Sequence, residues 1–351
     1  MVVNQPLVTI QVVTYNSESD IEDCLDTIKF CSYSKIEIVI IDNCSSDRTR
    51  QKIQDHSLFN SKKLHSFFLK ENLGYAEGHN FASKQAKGKY LLLLNADSTL
   101  SPNCIEPLVE QLESDNNLFA CKPLILLKDD HVKINLTGKV TQYLGYDWLR
   151  DYRSLSVPCA GEVISISGAG VLIRAVYFEK IGRFDQQYFM YYEDSDISWR
   201  ARLAGFSLFF QPKSIVYHDY KYIPNIKQQS LQQKIYFVER NRLLTIMKNY
   251  SLKSLLLLLP ALLLNELALT LYAALSGFFM TKLKSYWSLW KARTTLLYKR
   301  NAAQQMRKVS DAKIVADFVA KVDFVHFDHP ALKYLLNPFF ITYWFLIKKL
   351  I

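Results

Sequence analysis

Ile36-Glu37-Ile38-Val39-Ile40-Ile41-Asp42-Asn43 is the stretch whose reading decides the fold. Apart from Glu37 it is β-branched and apolar up to its polar end, the composition of a strand buried on both faces. Upstream, Leu7-Val8-Thr9-Ile10-Gln11-Val12-Val13 repeats the pattern and stops at Thr14-Tyr15-Asn16. Downstream, His65 to Leu69 and Tyr90-Leu91-Leu92-Leu93-Leu94 repeat it again, the last stopping at Asn95-Ala96-Asp97. Between these runs, Ser19-Asp20-Ile21-Glu22 reads as a capping box. Ile21, Cys24, Leu25 and Ile28 then form one apolar helical face. Ser45-Ser46-Asp47 opens a second helix, and Phe81 to Ala86 lies in a third. This cadence predicts an α/β fold, a doubly wound sheet with helices on both faces. Ligands of such sheets bind beyond the carboxyl ends of the strands. Thr14-Tyr15-Asn16, Asp42-Asn43, Asn72, Asn95 and Asp97 all fall there, which points to a nucleotide and a metal.

Residues 128–161 mix turns, aromatics and charge, and read as a mobile loop able to close over substrate. Val163 to Ser167 reads as a strand running into Gly168-Ala169-Gly170, with a helix around Tyr177 to Ile181 after it. The acidic stretch Glu193-Asp194-Ser195-Asp196 precedes a helix to Ala204. Phe206 to Phe210 and Ser214 to Tyr217 then form short strands closing on His218. Carboxylates this close raise one another's pKa, which suits a base or a metal site. Acids at the positive end of a helix macrodipole explain them equally well. The residues alone leave both open.

The 351 residues are 49% hydrophobic and 22% charged, which fits a globular chain and excludes wholesale disorder. Charge divides unevenly: residues 1–239 hold 26 Lys and Arg against 28 acids, and 240–351 hold 17 against five. A basic end on a near-neutral body points to an anionic surface. Leu255 to Phe279 is almost wholly apolar and exceeds the ~20 residues that span a bilayer. Glu266 near its centre and lysines on both flanks oppose a simple span. A re-entrant hairpin broken near Pro260 to Glu266, or helices lying in the interface, is expected; a buried helical pair is the alternative. Tyr286, Trp287 and Trp290, then Tyr334 to Ile351, have the aromatic and basic composition of membrane-surface helices. With no nucleic-acid motif present, lipid is the expected anionic partner and nucleic acid is not. The six cysteines lack CxxC spacing and no signal peptide is apparent, so reduced thiols in a cytosolic setting are expected. Asn135-Leu136-Thr137 is then a chance glycosylation match.

Six motifs in order carry a resemblance. They are Val13-Thr14-Tyr15-Asn16, Ile41-Asp42-Asn43-Cys44-Ser45-Ser46-Asp47, Asn72-Leu73-Gly74-Tyr75-Ala76-Glu77-Gly78, Leu94-Asn95-Ala96-Asp97, Glu193-Asp194-Ser195-Asp196 and Val216-Tyr217-His218. Together they resemble family-2 inverting glycosyltransferases with the GT-A fold, in a rhamnosyltransferase-like branch, over roughly residues 7–245. The resemblance implies a catalytic domain over 1–245, its nucleotide-binding half about 1–125 and its acceptor half about 160–245. Residues 246–351 would form a helical membrane-associating region.

The implied reaction moves a sugar from a dTDP- or UDP-sugar, rhamnose among the candidates, to a glycan or polyprenyl-diphosphate-linked acceptor in cell-surface polysaccharide synthesis. The implied place is the cytoplasmic side of the membrane, peripheral or monotopic. Mg²⁺ or Mn²⁺ would be held by Asp97 and His218, with Asn95 departing from the family's first Asp. Thr14, Tyr15, Asn16, Asp42, Asn72, Gly74, Asn95 and Ala96 would bind donor. For Asp42 an Asx turn is the competing reading. Asp194 would be the catalytic base, with Glu193, Tyr192 and Gly170 on the acceptor, and Asp196 capping its helix or pairing with Arg200. Competing readings are an inactive nucleotide-sugar-binding membrane scaffold and a sugar-phosphate nucleotidyltransferase. The latter lacks its glycine-rich loop, since Thr14-Tyr15-Asn16-Ser17-Glu18-Ser19 has no glycine.

Overall fold

The β-branched runs pair side by side in the computed structural model, which describes residues 5–220, 228–324 and 329–351. β1 (Val8–Thr14), β2 (Ile36–Asp42), β3 (Leu64–Phe68) and β4 (Tyr90–Asn95) are parallel, β1 lying between β2 and β4. The helices between them are α1 (Ile21–Lys29), α2 (Thr49–Asp55) and α3 (Gly74–Gln85). Ile21, Cys24, Leu25 and Ile28 of α1 join one core with Val8, Ile10 and Val12. Val39 and Ile41 point the other way and pack with Ala82 of α3. Burial on both faces is why β2 is apolar at successive positions.

The chain continues through β5 (Ser98–Leu100), α4 (Ile105–Ser114), β6 (Leu118–Leu127), β7 (Ile134–Leu136), β8 (Lys139–Thr141), β9 (Asp147–Leu149) and β10 (Gly161–Glu162). It then forms β11 (Gly170–Arg174), α5 (Ala175–Lys180), α6 (Glu193–Leu203) and β12 (Ser207–His218). Among the described residues the main sheet has ten strands and the order β10-β12-β6-β11-β4-β1-β2-β3, with β5 on β12 and β7 on β6. β11 runs antiparallel to β4 and β6, so the sheet is mixed.

Several local expectations are corrected. The capping box at Ser19 does not form; Asp20 starts α1 without a side-chain cap. The glycine-containing Gly74–Gly78 segment is the first turn of α3, not a loop before it, because Asn72 Oδ1 accepts from the Gly74 N–H at 2.8 Å. Residues 128–161 carry short strands and buried side chains such as Ile134, Asn135 and Leu136. Strands of two or three residues are too short to show a period-2 pattern. The strand expected at Val163 to Ser167 is instead β11, starting at Gly170. The two short strands expected before His218 are one, β12, with an irregular register between Gln211 and Ile215.

Two compact units result. Among the described residues, one holds the chain up to Lys139, Leu149–Ala201, and from Phe206 through β12; the other holds Val140–Trp148, Arg202–Gly205 and those from α7 onward. The second unit contains α7 (Gln228–Asn249), α8 (Leu252–Leu275), α9 (Phe279–Lys291), α10 (Arg293–Gln305), α11 (Asp311–Ile314) and α12 (Asn337–Ile347). The residue-245 boundary expected from sequence therefore lies inside α7. The hairpin break expected near Pro260 is also absent: α8 runs unbroken through Pro260. Its inner residues Ser254, Leu258, Ala261, Asn265 and Ala273 are buried on both sides of the proline, and that packing carries the helix past one lost hydrogen bond.

Candidate active site

β12 brings the first two site residues together. Its pairing with β5 sets His218 opposite Ser98, one residue beyond Asp97. His218 Nε2 then lies 3.3 Å from Asp97 Oδ1 and 3.5 Å from Asn95 Nδ2. His218 Nδ1 is 3.0 Å from Asn135 Oδ1, and with Nδ1–H donating there, the Nε2 lone pair faces Asn95 and Asp97. Asn135 is fully buried on β7. It is a positioning residue that sequence reasoning missed, because its only sequence signal was the chance sequon.

A divalent cation fits this group. Asp97 Oδ1 and Asn95 Oδ1 are buried and no hydrogen bond reaches either. Carboxylate oxygen, amide oxygen and imidazole together suit Mg²⁺ or Mn²⁺. Among the described residues no cluster of three or more His, Cys, Asp and Glu forms a complete cage. Asp97 and His218 would thus hold a cation whose remaining positions are open to ligand oxygens and water.

Two further carboxylates stand at the start of α6. Phe189, Tyr191 and Tyr192 have φ of 60°, 66° and 70°, an unusual run for residues with side chains. The Phe189 carbonyl accepts from the Ala76 N–H at 3.2 Å, and Gly74 packs so tightly there that a Cβ would sit 2.4 Å from that oxygen. This twisted segment turns Glu193 and Asp194 inward, both nearly buried. Asp194 Oδ1 accepts from Lys139 Nζ at 2.5 Å and from the Ser195 N–H at 2.8 Å. Glu193 Oε2 is buried without a hydrogen-bond partner. Burial, then the adjacent Asp194, pushes the Glu193 carboxyl up to about 8, so it is largely protonated at neutral pH. Asp196 is fully buried and ion-paired with Arg200 at 2.8 Å, one of the two roles open to it.

Tyr75 links the two halves. Its hydroxyl donates to the Gly168 carbonyl at 2.9 Å. Burial, then the charges of Glu193, Asp194 and Asp97, pushes it well above the ordinary tyrosine range. Asp97 and the adjacent acids Glu193 and Asp194, about a hundred residues further along the chain, thus act on one phenol. Tyr75 and Lys139 are the further residues that sequence reasoning missed. Lys139 sits where no motif marks it.

The donor candidates divide. Tyr15 is 52% exposed and offers a free ring face. Thr14 Oγ1 donates to Asp42 Oδ1 at 3.1 Å, and Asp42 Oδ2 accepts from the Ser45 N–H at 3.4 Å, which is the turn role left open for it. Asn16 likewise ties its loop to the Ser46 N–H at 2.8 Å. Ala96 is buried beside Asn95. Tyr192 is buried. Gly170 does not line open space: its place in β11 packs against Val216 and Pro123.

The model of glycosyl transferase family 2 matches residues 9–182. The chain belongs to glycosyl transferase family 2. Poly-β-1,6-N-acetyl-D-glucosamine synthase of Staphylococcus aureus (strain COL) is 29% identical over 208 residues, 58% of this chain and 48% of that protein. The same-named protein of Staphylococcus epidermidis is 27% identical over 204 residues, 57% and 47%. The chain spans about half the length of these curated relatives. Among solved structures, GalNAc-T7 with UDP, GalNAc and Mn²⁺ superposes with a TM-score of 0.61 at 16% identity, covering 82% of this chain and 56% of that one. S. aureus TarS 1–349 in complex with UDP-GlcNAc gives 0.53 at 18% identity, covering 91% and 95%. These likenesses establish the GT-A fold of this family-2 chain. The family match ends before Asp194 and His218.

Proposed function

We propose that this chain is an inverting glycosyltransferase that moves a sugar from a nucleoside diphosphate donor to a hydroxyl of a glycan or lipid-linked glycan in cell-surface polysaccharide synthesis. The single observation that carries it is the Asp97–His218 contact of 3.3 Å at the carboxyl end of the sheet, in the same unit as the buried Glu193–Asp194 pair. Asp194 takes the proton of the acceptor hydroxyl as its oxygen bonds to the anomeric carbon, from the face opposite the leaving diphosphate. That attack inverts the carbon. Glu193, protonated, offers an O–H to an acceptor oxygen. Asp97 and His218 would hold a divalent cation, whose charge would offset that of the departing diphosphate. The names of the staphylococcal relatives favour an N-acetylglucosaminyl donor over the rhamnosyl one that the motifs suggested. The acceptor is met on the cytoplasmic side of a membrane.

The test begins with a panel of UDP- and dTDP-sugars scored for Mn²⁺-dependent thermal stabilisation. The best donor is then offered lipid-linked acceptors. Asp194→Asn should lower transfer about 10²–10⁴-fold while leaving donor stabilisation intact. Asp97→Ala should remove the metal-dependent part of that stabilisation. Transfer by Asp194→Asn at the native rate would overturn the base assignment.

A further inference from the structure

α8 turns the usual arrangement of a helix inside out. Leu256, Leu259, Leu263, Leu267, Leu271 and Leu275 follow at three- and four-residue steps and every one is exposed, Leu275 by 81%. Only 22% of its most apolar 18-residue window is buried, whereas the core helix of a soluble protein would be mostly buried. The polar residues lie inward instead. Arg242 of α7 and Lys282 of α9 both pair with Glu266, Lys282 at 2.8 Å, and the Tyr286 hydroxyl donates to it at 2.9 Å. Burial opposes the Glu266 charge, yet Arg242 and Lys282 outweigh it and pull the carboxyl down to about 2.

At 24 residues α8 is long enough to cross a bilayer, ~36 Å at 1.5 Å per residue against ~30 Å of hydrocarbon. The ion pairs argue against crossing. They tie α8 to α7 and α9, and a spanning α8 would draw Arg242, Glu239 and Lys282 into hydrocarbon with it. A helix lying in the interface immerses its leucine face alone. α12 adds to that face: Ile341, Phe345 and Leu346 are exposed, while the Tyr343 hydroxyl donates to the Leu257 carbonyl of α8 at 2.7 Å. On α9, Met280, Leu283, Trp287 and Trp290 form an exposed apolar stripe, with Lys284 and Lys291 beside it. Tryptophan favours the headgroup boundary and lysine favours anionic lipid.

We infer that α8, α9 and α12 form a monotopic docking face, whose leucine row enters one leaflet of an anionic bilayer while the flanking lysines meet its phosphates. This face is distinct from the catalytic centre, and vesicle binding reads it independently of transfer.

The test uses the full chain with vesicles of phosphatidylcholine alone or with 30% phosphatidylglycerol. The protein should float with the anionic vesicles and bind the neutral ones several-fold less. Leu263→Ser/Leu267→Ser/Leu271→Ser, all exposed, should keep the native unfolding temperature and reduce flotation at least tenfold. Unchanged flotation by that variant overturns the proposal. So does a concentration-dependent dimer that the same substitutions dissociate, without vesicle binding by the native chain. To separate lying from spanning, Lys253→Cys and Lys284→Cys are labelled on bound protein with an impermeant maleimide, located by peptide mass spectrometry. Both ends should react from outside; protection of one end until the vesicles are opened overturns the in-plane arrangement.

Discussion

Glu193 and Asp194 carry the same functional group one residue apart, and their surroundings divide the work between them. Asp194 has an ammonium at 2.5 Å, whereas Glu193 has a buried oxygen with no partner. The folded value of Glu193, about 8, lies above its ordinary 4.5. Its protonated form therefore stabilises the fold at low pH, fully below 4.5, and that contribution is lost as pH rises through about 8. Glu193→Gln stays neutral, so its thermal midpoint should fall less than the native one between pH 5 and 8; parallel melting curves would refute this. Asp194, Asp196 and Lys139 are the charged groups around it. Lys139 bears on the chemistry differently. Lys139→Met should lower kcat on the order of 10²-fold by letting the carboxylate shift, with donor stabilisation unchanged and Lys139→Arg recovering part of the rate. Equal losses in the Met and Arg variants would leave no positioning role for the ammonium.

Elements matter through what their ends hold in place. α3 opens on Gly74 at φ +79°, a conformation that costs a side-chain-bearing residue about 1–3 kcal/mol. Gly74→Ala should lower stability by at least that much in denaturant titration, and should reduce transfer as well, because the displaced Phe189 carbonyl precedes Glu193. Stability loss with native transfer would separate α3 from the acidic turn. β7 is only three residues long, yet it delivers Asn135 to His218. Asn135→Ala should weaken Mn²⁺-dependent stabilisation about 10–100-fold, the usual cost of losing such an orienting partner. The parallel strands and α1 were legible in sequence because apolar periodicity runs through five or more residues in each. β7 and β8 were not, and neither were Asn135 and Lys139, which ride on them.

For the whole molecule, the division of charge seen in sequence becomes a division of labour between compact units. The helical unit holds its ions inside and its leucines outside. Glu266→Gln leaves Arg242, which is fully buried, with a weaker partner, and should destabilise that unit on the order of 2 kcal/mol in thermal or chemical unfolding. No change would mean that Glu239 alone satisfies both cations. The sequence by itself determined the α/β sheet, its polar carboxyl ends, the identity of Asp97, His218 and Asp194 as candidates, and the apolar, basic end. The sheet, its polar ends and the basic tail follow from local pattern, since burial on two faces and strand-end polarity are written in consecutive residues, whereas the three candidates follow from the resemblance to the family. Tertiary structure alone decided that Glu266 turns inward and that α8 continues past Pro260. It also decided that Lys139 meets Asp194 and that Asn135 aims His218. Those contacts join residues 16 to 83 positions apart, and no local period records which side chain a distant strand or helix will bring to it.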